Sequence, residues 1–108
     1  MRAYELMIIF DRDLEEAAIQ PQIDRVGALV KETGGSVSTT DVWGKRRLAY
    51  EIDHKDEGYY VVFEFVTEGR DMTALERHLR LADEVVRHKL IRLPDEEAAR
   101  RGLLAEAG

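Results

Sequence analysis

Two segments of this chain, Leu6 to Phe10 and Tyr59 to Phe63, are apolar at five consecutive positions. Successive side chains of a strand point to opposite faces, so strands of this kind carry apolar groups on both sides and need cover on both. From Tyr4 to Phe10 only Glu5 interrupts the run, which stops at Asp11-Arg12-Asp13 and predicts a central strand. Five residues fall far short of the roughly 20 that a membrane-spanning helix needs, and the lone Arg2 ahead of the first run makes no secretory signal.

The intervening chain changes period. Ile19, Ile23, Val26 and Val30 recur at helical spacing, Asp13 and Glu16 have the separation of a capping box, and Gly34-Gly35 supplies a stop. Pro21 suits the first turn of a helix that starts near Gln20. Ser36 to Ile52 has no helical period; Leu48, Tyr50 and Ile52 share a parity, and Gly44 marks a bulge or bend in one long strand. Residues 53–58 read as a polar turn and Tyr59 to Val66 as the returning strand of a hairpin. Asp71 is placed to cap a second helix with Met72, Leu75, Leu79 and Ala82 on its apolar stripe, and Val85 to Leu93 is a last strand closed by Pro94. The order strand, helix, strand, strand, helix, strand predicts an α+β, ferredoxin-like βαββαβ domain over residues 1–93: a four-stranded antiparallel sheet with two helices on one face. Residues 94–108 hold too little apolar content to join the core alone and are expected to be a flexible tail.

With 108 residues, one core is expected; 44% hydrophobic and 35% charged residues exclude a disordered chain. The absence of cysteine excludes disulfides, thiolate metal sites and thiol nucleophiles, and fits a cytoplasmic protein. His54, His78 and His88 share no ligand spacing, no glycine-rich loop opens a helix, and Ser36 and Ser38 lack a nucleophile's elbow, so no metal, cofactor, small-molecule substrate or catalysis is expected.

If Leu6, Ile8 and Phe10 face the helices, then Met7 and Ile9 face away, as Tyr60 and Val62 do when Phe63 and Phe65 face in. The outer face is then apolar where an open sheet is normally polar, which marks a binding surface unless strand parity is reversed or the tail folds over it. Net charge is −6, yet residues 41–50 carry three cations and one acid, with a second basic stretch from Arg87 to Arg92. In Trp43-Gly44-Lys45-Arg46-Arg47-Leu48-Ala49-Tyr50, three consecutive cations on a strand project to both faces and can reach phosphates, while Trp43 and Tyr50 can stack on bases or pack on a partner. A solvated hairpin with Trp43 half buried is the alternative.

That segment, together with Met1-Arg2-Ala3-Tyr4-Glu5, Glu57-Gly58-Tyr59-Tyr60 and Leu79-Arg80-Leu81 before Val85-Val86-Arg87, resembles bacterial small-subunit ribosomal protein six across residues 1–93. The resemblance implies a structural protein of the small ribosomal subunit, bound to the central domain of its rRNA as a heterodimer with ribosomal protein eighteen. It implies RNA contacts at Arg2, Lys45, Arg46, Arg47 and Arg87, with Lys89 and Arg92 as further candidates. The apolar outer residues Met7, Ile9, Tyr60 and Val62, with Trp43 and Tyr50, are then the expected protein-binding set.

Two other readings share the strand order. A single-strand RNA-recognition module wants a basic residue, Gly, an aromatic and a small residue opening its third strand; Glu57-Gly58-Tyr59-Tyr60 meets only the Gly and first aromatic of these, so independent base stacking is not expected. A dimeric enzyme or metabolite sensor would suit the apolar outer face, but it lacks a catalytic constellation. A stable homodimer in sedimentation would favour it.

Overall fold

The β-branched and aromatic content of Arg2–Asp11 forms strand β1, which sits between two partners in the sheet. The computed structural model describes residues 1–52 and 55–104, with side chains for 1–48 and 56–104. Helix α1 (Glu16–Glu32) leads to β2 (Gly35–Ile52), then β3 (Lys55–Thr67), α2 (Thr73–Leu81), β4 (Val85–Leu93) and a short α3 (Asp95–Arg100). The sheet order is β2-β3-β1-β4 with every pairing antiparallel, which is the ferredoxin-like arrangement expected.

Even-numbered residues of β1 and odd-numbered residues of β3 face the helices. Tyr4, Leu6, Ile8 and Phe10 meet Tyr59, Val61, Phe63 and Phe65 in a core closed by Ile19, Val26, Leu29 and Val30 of α1, Met72 at the start of α2, and Leu75 and Leu79 within it. Removing each of these large side chains from water is worth about 1.5–3 kcal/mol, so this layer holds the fold.

Four local readings are corrected. Helix α1 begins at Glu16, its N-cap is Glu15 and not Asp13, and no side-chain cap is made; in the turn before it the Asp11 Oδ1 accepts the Asp13 N–H at 2.9 Å. Pro21 consequently lies inside the helix and not in its first turn. It is tolerated on the exposed side, where water can serve the carbonyl it leaves unpaired. The hairpin strands run further than expected, since Asp56, Glu57 and Gly58 are strand residues; register sets Arg47 against Glu57 and Arg46 against Gly58, and opposite charges across a ladder favour its extension. His54 lies outside the described residues.

The fourth correction concerns the chain after Pro94, where residues 95–104 are not an unattached tail. Ala98 is fully buried against Ala3 and Leu93, with Val66, Leu103 and Leu104 packed beside them. One small buried residue and two leucines were too weak a signal to read as packing. The turn chemistry was nevertheless present: Asp95, Glu96 and Glu97 in the first turn and Arg100 in the last suit the helix dipole.

Candidate functional site

Register fixes which side chains share the face opposite the helices. Three rows cross the sheet from β2 to β4: Gly44, Tyr60, Ile9 and Arg87; then Asp41, Val62, Met7 and Lys89; then Thr39, Glu64, Glu5 and Ile91. A fourth holds Val66, Ala3 and Leu93. The expected outward set of Met7, Ile9, Tyr60 and Val62 therefore shares one face.

At one end of this face the β2 ladder is interrupted between Val42 and Gly44. Gly44 takes φ +81°, a conformation that side chains with a Cβ rarely adopt, and the bulge throws Trp43 over the sheet. The indole stacks on Tyr60 with centroids 5.9 Å apart and planes 10° from parallel. Its Nε1–H donates to Asp41 Oδ2 at 2.9 Å, and the Arg46 guanidinium lies 5.1 Å from the ring centroid. Trp43 keeps 41% of its surface exposed, so guanidinium, indole and phenol form a layered stack at the rim.

Ile9 is 5% exposed, more buried than an open face predicts. A Cβ on Gly58 would collide with Ile9 Cγ2 and touch Leu48 Cδ2 at 3.5 Å, so the absent side chain lets Ile9 and Leu48 close over the sheet. Leu48 is buried as expected, but it belongs to this outer layer and not to the helix-side core.

The other end is covered by α3. Arg101 Nη1 donates to Glu5 Oε1 and Glu64 Oε2, each at 3.1 Å, and its Nε donates to Glu97 Oε1 at 2.8 Å. Hydrogen bonds to Glu97, then Glu64 and Glu5, push the guanidinium pKa above its ordinary value. Arg101 in turn holds Glu97 below the ordinary carboxylate range, helped by the charge of Arg100, whose Nη2 is 2.8 Å from Glu97 Oε2. Glu64 also accepts from the Thr39 hydroxyl at 2.8 Å. Nothing in isolated sequence periodicity pairs Arg101 with Glu5, 96 residues away.

The seven candidate cations do not form one patch. Arg46, Arg87 and Lys89 share the outer face, whereas Lys45 and Arg47 pair with Tyr59 and Glu57 and so project from the other side of the hairpin. Arg2 and Arg92 lie at the far end on the helix-side parity, opposite Thr67 and Tyr4. All but Arg2 are exposed. The Tyr50 side chain lies outside the described ones. Among the described residues no group of His, Asp and Glu has metal-site geometry; His78 has a buried Nε2 without a hydrogen-bond partner, and His88 stands opposite Ile8 in β4.

Comparison with known proteins identifies the family and agrees with the fold. The family described as Ribosomal protein S6 matches residues 3–92. Small ribosomal subunit protein bS6 of Salinispora arenicola is 49% identical over 92 residues, covering 85% of this chain and 96% of that protein. The bS6 of Acidothermus cellulolyticus is 45% identical over 95 residues, covering 88% and 98%. The crystal structure of 30S ribosomal protein S6 from Thermotoga maritima superposes with a TM-score of 0.84 at 30% identity, covering 94% of this chain and 95% of that one. The chain belongs to the ribosomal protein S6 family and is a structural, non-enzymatic component of the small ribosomal subunit.

Proposed function

We propose that this chain binds the central domain of small-subunit rRNA together with ribosomal protein eighteen, as a heterodimer. The observation that carries this reading is the outer sheet face: Met7, Val62 and Tyr60 lie side by side, Trp43 stacks on Tyr60, Arg87 and Lys89 end the same rows, and Arg46 stands one row beyond, opposite Gly58. Ile9 supports the patch from beneath. In this reading Met7, Ile9, Trp43, Tyr50, Tyr60 and Val62 serve the protein partner. Arg2, Lys45, Arg46, Arg47, Arg87, Lys89 and Arg92 serve phosphates.

A net charge of −6 is compatible with RNA binding when phosphate contacts are few and local and a basic partner supplies the remaining field. The isolated chain should then bind RNA weakly and the heterodimer tightly. Gel-shift titration of a central-domain rRNA fragment with each protein alone and with the mixture tests this. Equal RNA affinity for the chain alone and the mixture would contradict joint binding.

A further inference from the structure

Register sets Glu5 directly across from Glu64 on the outer face, and like charges facing each other across a ladder disfavour pairing. Their countercharge comes from the same chain, through the two 3.1 Å contacts of Arg101. Among the described residues little else holds α3: Ala98 is its one fully buried residue, Leu103 and Leu104 after it are half-buried, and the Arg101, Glu5 and Glu97 side chains each keep about a third of their surface in water. An element with so small a buried area and partly screened ion pairs opens locally far more easily than the sheet beneath it. Beneath it lie Ala3, Val66 and Leu93, one row beyond Glu5 and Glu64, which are themselves one row beyond Met7 and Val62.

We infer that α3 is a latch: Arg101 holds it over one end of the outer face, and its release lengthens the partner-docking surface by Ala3, Val66 and Leu93. This rests on the heterodimer reading. The occupant is ribosomal protein eighteen, engaging the uncovered apolar row and placing a cation of its own between Glu5 and Glu64 where Arg101 had been. Charge complementarity carries that choice, because the two facing carboxylates require a cation once Arg101 leaves. Binding and latch closure compete, so the apparent Kd rises in inverse proportion to the fraction of molecules with α3 open.

The test uses the full chain with R101A and A98D, which open the latch by different means, and R100A, which removes only the outer ion pair to Glu97. Amide exchange is followed at Gly102 and Leu103, which every variant retains and whose N–H groups donate to the Ala99 and Ala98 carbonyls in the closed segment. Ribosomal protein eighteen is titrated calorimetrically into each variant. R101A and A98D should exchange faster and bind at least about threefold tighter, with R100A changing neither. Faster exchange with unchanged or weaker binding would overturn the latch and make α3 a fixed wall of the site; unchanged exchange in R101A would overturn the role of Arg101. Absence of binding by the wild type and every variant would overturn the heterodimer reading and the gating built on it.

Discussion

Met7 and Ile8 are chain neighbours with opposite surroundings: Ile8 is fully buried between sheet and helices, whereas Met7 is half-buried on the outer face against Val62 and Lys89. Ile8→Ala should therefore cost about 2–5 kcal/mol in denaturant melts as transfer plus cavity terms. Met7→Ala should cost clearly less, and equal losses would mean that the two faces have been exchanged. Tyr60 is read by association more than by stability, because its ring lies under Trp43 at the surface and not in the core. Tyr60→Ala should weaken binding of ribosomal protein eighteen by about 1 kcal/mol or more while the domain stays folded. Unchanged affinity in calorimetry would remove this stack from the interface.

At the scale of elements, Pro21 interrupts the hydrogen-bond ladder of α1 on its exposed side. Pro21→Ala should raise stability, by up to about 3 kcal/mol, since it restores an amide donor and a strong helix former. A loss of stability in thermal melts would show that the ring makes packing contacts that outweigh the missing bond. The Glu97 contact to Arg101 gives α3 a pH dependence of definite sign. Glu97 has its pKa lowered in the folded chain, so its contribution is fully present above the ordinary carboxylate value and is lost as pH falls through the lower folded value. Exchange protection at Leu103 should fall in that acid range before the sheet unfolds; simultaneous loss of both would contradict a separately opening α3. The strand and helix order was legible because Leu6–Phe10 is apolar at every position, whereas Ile19, Ile23, Val26 and Val30 recur at helical spacing. Three features were not. The start of α1 has no side-chain cap to mark it, the length of the hairpin depended on cross-strand charges that exist only once register is set, and α3 docks through one alanine and a long-range ion pair.

The whole molecule is an elongated body, 49 × 26 × 21 Å, and its two longest strands, β2 and β3, form the hairpin that carries Lys45, Arg46 and Arg47 on β2. The outward set Met7, Ile9, Tyr60 and Val62 was readable in sequence because strand parity is a local rule. That Lys45, Arg46 and Arg47 divide between two faces was readable too, but which of them takes which face was not, because the bulges beside Thr39 and Gly44 shift parity along β2. We propose that this local positive charge, inside a protein of net charge −6, meets phosphate. Each neutralised phosphate releases counterions, so losing one contact should lower the salt slope of binding by up to about one unit. The direct measurement is the affinity of the preformed heterodimer for a central-domain rRNA fragment at several salt concentrations, with Arg46→Ala, Arg47→Ala and, as control, Arg25→Ala on α1. Reduced slopes for the two hairpin variants and an unchanged slope for the control are predicted; the same slope for all three would contradict the hairpin as an RNA-contacting element.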